Sequence, residues 1–149
     1  GERLQHAVAA LLAAGTEVVA LDEEHLQELA THLANADMLL HGCPFETFGL
    51  SIAEAMSCGL PCVVPDDGGA GEMHDPESGE TYRANDEDAF VGAVLRLLDR
   101  IERSGGAPLR EAAVRAASKL PTVQQQFEEQ IALYAELLGR RSHENGVKR

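Results

Sequence analysis

The chain has 149 residues, 44% of them hydrophobic, enough to build one folded domain around a single core, which argues against disorder. With 25 acidic against 12 basic side chains the formal net charge is −13, so the surface repels a phosphate backbone and a nucleic-acid-binding role is disfavoured. No apolar run approaches the roughly 20 residues of a membrane span, and Gly-Glu-Arg-Leu-Gln-His at the N-terminus lacks the basic-then-apolar order of a secretory leader, so the sequence predicts a soluble, cytoplasmic protein.

Leu4, Ala7, Val8, Leu11 and Leu12 recur at intervals of three and four and predict a helix over 4–14, stopped by Gly15. A short β-branched run over 17–21 predicts a strand, and Leu26, Leu29, Ala30 and Leu33 form a second helical stripe over 23–35. Residues 37–41 are short and apolar around Met38-Leu39-Leu40, as in a parallel strand covered on both faces. Helical signs return over 49–57, Gly59-Leu60-Pro61 breaks the chain, and Cys62-Val63-Val64 predicts the next strand. A weaker strand follows over 80–83, then a strong helix over 86–103 carrying Phe90, Val91, Val94, Leu95, Leu97, Leu98 and Ile101. After Ser104-Gly105-Gly106 come two further helices, over 107–119 and 122–138, the second with Thr122 as candidate N-cap and Val123, Phe127, Ile131, Tyr134 and Leu138 at helical spacing.

Strands alternating with helices predict an α/β fold, a partial Rossmann-like parallel sheet flanked by helices and joined by right-handed crossovers. Four strands are legible where such nucleotide-binding sheets have about five or six, so the chain reads as one lobe, 1–138, with its front missing. Residues 139–149 read as a polar, frayed tail; four cations in it leave a basic membrane contact as the sharper alternative.

Cys43, Cys58 and Cys62 are odd in number and not arranged as paired Cys-x-x-Cys, which argues against a disulfide framework or a structural zinc and for buried thiols of a reducing compartment. The six histidines fall in different segments without a His-x-x-x-His pair, and no compact Asp-x-Asp site is present, so neither a metal nor another cofactor is expected. After Arg3 no lysine or arginine occurs until Arg83, so an anion bound in that stretch must be held by something other than a side-chain cation.

The stretch from Pro44 to Pro61 follows a predicted buried strand and opens a helix, which places it at the carboxyl end of the sheet, where open α/β folds bind ligands. Unpaired N–H groups at the helix start and about half a positive charge from the helix dipole make an anion site there, and Gly49 would let a ligand approach the main chain. Glu54 lies among Ile52, Ala53, Ala55 and Met56 on a helix expected to be largely covered, which predicts a dedicated hydrogen-bond donor for its carboxylate; a surface or capping glutamate is the alternative. Helical side chains lean toward the N-terminus and bring Glu54 back toward the crevice, while Glu46 stands on the loop before the helix. Two acceptor-only carboxylates flanking a phosphate-binding helix start suit a ribose, a diphosphate and a hexose in that order.

Glu46 and Glu54 form a Glu-x7-Glu pattern. Together with Phe48-Gly49-Leu50, Glu54-Ala55-Met56, Gly59-x-Pro61, Val63-Val64 and Gly68-Gly69-x-x-Glu72, the segment closely resembles the retaining GT-B glycosyltransferases of family 4, over about residues 17–100. The resemblance implies the C-terminal, donor-binding lobe of a two-lobed enzyme that moves a hexose from a UDP-, GDP- or ADP-linked sugar with retention and without a metal. Carried over by position, Glu46 would be the catalytic residue and bind hexose hydroxyls, Glu54 would bind ribose hydroxyls, and the main chain at Phe48, Gly49 and Leu50 would face sugar and diphosphate. Gly68 and Gly69 would form a turn near the nucleotide, a plain turn being the alternative, and Glu72 would start or cap a short helix. The family's basic diphosphate contacts and its N-terminal acceptor lobe would lie outside this chain, and so would any membrane contact of the full enzyme. Cys43 is read as packing, and His41 and His74 as solvated or core imidazoles. The competing reading is a noncatalytic nucleotide-binding or protein-interaction module.

Overall fold

A computed structural model of the chain describes residues 29–146 together with Ala9, Leu12 and Ala13. Those three residues are helical; the rest of the helix expected over 4–14, the strand over 17–21 and the first part of the helix over 23–35 lie outside the described residues. The described elements in chain order are α1 (Leu29–Asn35), β1 (Leu39–Leu40), α2 (Leu50–Ser57), β2 (Cys62–Pro65), α3 (Gly68–Glu72), β3 (Glu80–Tyr82), α4 (Glu87–Ser104), α5 (Ala107–Ala117) and α6 (Val123–Gly146). The chain divides into two compact units, Gly1–Ser118 and Lys119–Arg149.

In the first unit the strands form a parallel sheet in the order β1-β2-β3, with Leu39 opposite Cys62, Leu40 opposite Val63, and Val63 opposite Glu80. Parallel neighbours need crossovers, and α2 and α3 lie in the two connections. The strand β2 is buried throughout, as a central strand covered on both faces must be. Side chains alternate along it: Val63 joins Tyr82, Phe90, Ala93, Val94, Leu97 and Leu109 on one face. Cys62 and Val64 join Leu33, Ile52, Ala55, Met56, Leu60, Ala70 and Ala113 on the other. Strand β1 splits the same way, Leu40 packing against the first cluster and Leu39 against the second.

Local chemistry sets the element ends. Asp86 caps α4 by accepting from the Ala89 N–H at 3.0 Å, Glu87 and Asp88 occupy its first turn and Arg103 its last, in accord with the helix dipole. Helix α2 closes with Gly59 N–H donating to Met56 O and Leu60 N–H to Ala55 O, both at 2.9 Å, the paired bonds of a Schellman stop, and Leu60 is buried beneath them. Across the sheet edge, Glu80 of β3 accepts from Arg96 at 2.9 Å and Arg100 at 2.8 Å, tying that strand to α4. Burial raises the Glu80 carboxyl, and the hydrogen bonds and charges of the two arginines together lower it further than burial raises it.

In the second unit, Thr122 opens α6 as expected: its Oγ1 accepts from the Gln125 N–H at 3.2 Å while Gln125 Oε1 accepts from the Thr122 N–H at 2.8 Å, a reciprocal capping box. The helix continues to Gly146, past its expected end at 138, because nothing from Gly139 to Asn145 carries a proline or a second stop signal. Phe127, Ile131, Tyr134 and Leu138 of the apolar stripe are exposed. No helix among the described residues is long and apolar enough to cross a membrane. Two cysteine expectations change: Cys43 and Cys58 are exposed, and only Cys62, on the central strand, is buried, where desolvation pushes its thiol up to about 12.

Candidate functional site

The loop from His41 to Gly49 leaves the carboxyl end of β1 and enters α2. Its first residue is fixed at the backbone from two sides, the His41 N–H donating to Val63 O at 2.9 Å and its carbonyl accepting from the Tyr82 hydroxyl at 2.9 Å. Tyr82 is held in turn by an edge-to-face contact with Phe90, ring centroids 5.0 Å apart.

Glu46 stands in the middle of this loop. Its Oε1 accepts from the Phe48 N–H at 3.1 Å and its Oε2 lies 3.6 Å from His41 Nε2. The Phe48 and Gly49 N–H groups, with a smaller pull from His41, hold its carboxyl below the usual carboxylate range. The side chain nevertheless remains 24% exposed. A carboxylate thus already occupies the Phe48 N–H just before α2.

Gly49 is the N-cap of α2 with φ +84°, and its carbonyl accepts from both Ile52 and Ala53 at 3.0 Å. It is buried, and a Cβ there would come within 3.0 Å of Ile52 Cδ1 and 3.3 Å of Met73 Sδ. The glycine is therefore required by left-handed backbone and by packing against Ile52 and Met73, a different reason from the ligand approach expected for it. Phe48 is 39% exposed, Leu50 63% and Phe45 80%, so an apolar rim surrounds the helix start.

Gly68 and Gly69 open α3, a helix rather than a turn, with Asp67 capping it through the Gly68 N–H at 2.8 Å. The Gly69 N–H donates to Glu46 O at 2.9 Å, and a Cβ on Gly69 would collide with the Thr47 carbonyl. This pair thus lets the start of α3 lie directly on the main chain that carries Glu46. Glu72 is the last residue of α3, so it ends the helix instead of starting it.

Glu54 departs from expectation most. It is exposed on α2, while Ile52, Ala55 and Met56 face the core. Among the described residues no hydrogen bond or ion pair engages its carboxylate. An eight-residue helix covered on one side leaves a solvent face, and position 54 falls on it, so no buried donor is required. The structure therefore brings together Glu46, Phe48, Gly49, Leu50, Gly68 and Gly69, and leaves Glu54 on the same helix with its acceptor capacity unused.

Sequence reasoning set His41 aside as a core or solvated imidazole, and the structure puts it against Glu46. The available signal was its place, one residue past the apolar strand and five before Glu46. Its side chain is only 12% exposed, and burial pushes the imidazole below its ordinary 6.5 against an opposing pull from Glu46. No group of three or more His, Cys, Asp or Glu among the described residues could hold a metal ion. A separate groove of about 380 Å³ lies between α4 and α5, lined by Arg100, Arg103, Arg115 and Glu77 among others. Each of its arginines already faces a carboxylate, Glu80 at 2.8 Å, Asp99 at 2.7 Å and Glu77 at 3.4 Å, so it offers no uncompensated charge to an anion.

Comparison with known proteins gives this junction a context. The chain is 34% identical over 116 residues to a GDP-mannose-dependent alpha-mannosyltransferase of Mycolicibacterium smegmatis, covering 76% of this chain and 29% of that protein. It is 38% identical over 71 residues to a GDP-mannose-dependent alpha-(1-6)-phosphatidylinositol dimannoside mannosyltransferase of Mycobacterium tuberculosis, covering 48% of this chain and 18% of that one. It therefore spans less than a third of the length of these relatives. Among solved structures, sucrose-phosphate synthase of Thermosynechococcus elongatus shares the fold with a TM-score of 0.65 at 24% identity, over 93% of this chain and 34% of that one. Anabaena HepE in complex with UDP and glucose follows with a TM-score of 0.59 at 26% identity, over 70% and 29%. Residues 1–100 match the family described as glycosyl transferases group 1. With two thirds of its length inside that match and a parallel α/β sheet shared with GT-B enzymes, the chain belongs to the glycosyl transferases group 1 family.

Proposed function

We propose that this chain is the donor-binding lobe of a retaining, metal-independent GT-B hexosyltransferase of family 4, acting in the cytoplasm, whose acceptor lobe is supplied by polypeptide outside these 149 residues. The observation that carries the reading is the Glu46 carboxylate, held on the loop that enters α2 with one oxygen on the Phe48 N–H and its side chain partly exposed. In this reading Glu46 accepts hydrogen bonds from hexose hydroxyls, Glu54 accepts them from the ribose, and the main chain at Phe48, Gly49 and Leu50 faces sugar and diphosphate. The exposed, unengaged carboxylate of Glu54 suits a residue whose partners arrive with the ligand.

When the bond from the anomeric carbon to the diphosphate breaks, its electron pair leaves on the diphosphate, and fixed N–H dipoles at the helix start stabilise that charge. Side-chain cations must come from elsewhere, since residues 4–82 contain no lysine or arginine. The mannosyltransferases named above are GDP-mannose-dependent, which supports GDP-mannose as the donor to test first; HepE has been seen with UDP-glucose, which makes that the second.

The test is a thermal-shift screen of the full-length polypeptide carrying this chain against GDP, UDP and ADP. A nucleotide at 100 times its Kd adds about 2.7 kcal/mol of stability and gives a clear shift. Glu46→Gln and Glu54→Gln should each lower sugar transfer about tenfold or more with folding intact, the consequence of losing charged hydrogen bonds to the donor. Unchanged kinetics in both variants would instead favour a noncatalytic nucleotide-binding or protein-interaction module.

A further inference from the structure

The imidazole of His41 projects from a fixed point. Its backbone is tied on one side to Val63 and on the other to the Tyr82 hydroxyl, which fixes the Cα from which the ring projects at the end of the sheet ladder. Its Nε2 is completely covered by protein yet has no hydrogen-bond partner. Buried ring nitrogens are normally paired, and an orphaned one asks for an explanation. The group that faces it is Glu46 Oε2, at 3.6 Å. The other oxygen of that carboxylate is already engaged by the Phe48 N–H.

We propose that His41 is a positioning residue for Glu46, its buried Nε2 fixing the carboxylate through Oε2 in the orientation that receives the hexose hydroxyls. The inference rests on the donor-site reading given above. Because Nε2 is covered, it cannot touch a ligand itself; it acts only through the carboxylate. With Oε1 on the main chain and Oε2 facing the imidazole, two contacts orient the carboxylate. The gap of 3.6 Å lies just beyond hydrogen-bond range. A movement of under about 1 Å as hydroxyls engage Glu46 closes it, in the way that active-site hydrogen bonds tighten once substrate is bound. A neutral imidazole protonated on Nε2 supplies this donor without a cation, in a stretch that has no lysine or arginine.

The test is a double-mutant cycle in the full-length polypeptide, with transfer from GDP-mannose, and from UDP-glucose in parallel, followed as kcat and KM, and with GDP and UDP binding measured by calorimetry. His41→Phe keeps the ring volume and removes the donor. It should lower kcat/KM by about tenfold while leaving the Kd of the free nucleotide, which has no hexose, within about twofold of its original value. His41→Gln, whose amide reaches the same region, should recover most of the loss. Glu46→Gln should cost much less in the His41→Phe background than alone. Losses that multiply, or an equal weakening of nucleotide and sugar nucleotide, overturn the positioning role. If His41→Phe does not fold, the cycle is run with His41→Asn, whose shorter amide cannot reach Oε2, and the same outcomes decide. Impaired transfer in Glu46→Gln with no coupling to His41 removes this inference alone, whereas unimpaired transfer in Glu46→Gln removes the donor-site reading and this inference with it.

Discussion

Glu46 and His41 sit side by side but are displaced from their ordinary titration for different reasons. The Phe48 and Gly49 N–H groups favour the ionised carboxylate, while burial favours the neutral imidazole. At neutral pH the pair is therefore a carboxylate facing an uncharged ring. For a base whose folded pKa lies below 6.5, the unfolded chain binds more protons between the two values, so stability falls as pH drops through that window. His74, lowered chiefly by burial, contributes with the same sign. The melting temperature should accordingly decline between pH 7.5 and pH 5.5, and His41→Gln should flatten part of that decline. An unchanged slope in the variant would assign the whole effect to other groups.

At the scale of elements, the site is a junction of three pieces. The strand β1 ends at the loop, α2 begins from it, and α3 lies on its main chain through the Gly69 N–H and the Glu46 carbonyl, 2.9 Å apart. Two glycine substitutions separate positioning from plain stability. Gly59→Ala places a side chain at φ +79°, where the nearest neighbours of its Cβ are at 3.6 Å, an ordinary contact. It should cost about 1 kcal/mol of stability through backbone strain and leave nucleotide affinity unchanged. Gly69→Ala instead drives a Cβ into the Thr47 carbonyl, a backbone atom with little freedom to give way. The expected cost is about 1–3 kcal/mol, typical of overpacking, together with weaker donor binding, because the same displacement moves Glu46. Urea unfolding and nucleotide titration on both variants check this; equal binding by the two would show that α3 does not position the loop.

For the molecule as a whole, the charge distribution constrains what the 149 residues can do alone. Net charge is −13, and the candidate donor junction has N–H dipoles and carboxylates but no lysine or arginine within residues 4–82. A diphosphate leaving group carries charge that these dipoles offset only in part. Purified residues 1–149, assayed with GDP-mannose, should therefore bind GDP weakly at best and transfer no sugar. Turnover by this polypeptide in a labelled-sugar assay would refute the need for cations beyond those that these 149 residues carry.

Much of this was legible in the residues themselves. Apolar runs located β1 and β2, because a strand covered on both faces must be apolar at successive positions, while β3, Glu80-Thr81-Tyr82, was only weakly marked, and Asp86, Thr122 and Gly59-Leu60-Pro61 marked helix ends because capping and stopping are local chemistry. The loop around Glu46 was recognisable for the same reason, its residues being adjacent in the chain. What the residue string could not decide was which way a helix turns. Glu54 was expected to be covered and is exposed because it falls on the solvent face of α2, and Cys43 and Cys58 were expected to be buried but lie exposed in a loop and at a helix end. Nor could it show that Gly69 rests on Thr47, twenty-two positions away in sequence, or that His41 faces Glu46. Those contacts arise only once parallel strands align their carboxyl ends and fold the intervening loops over a common edge.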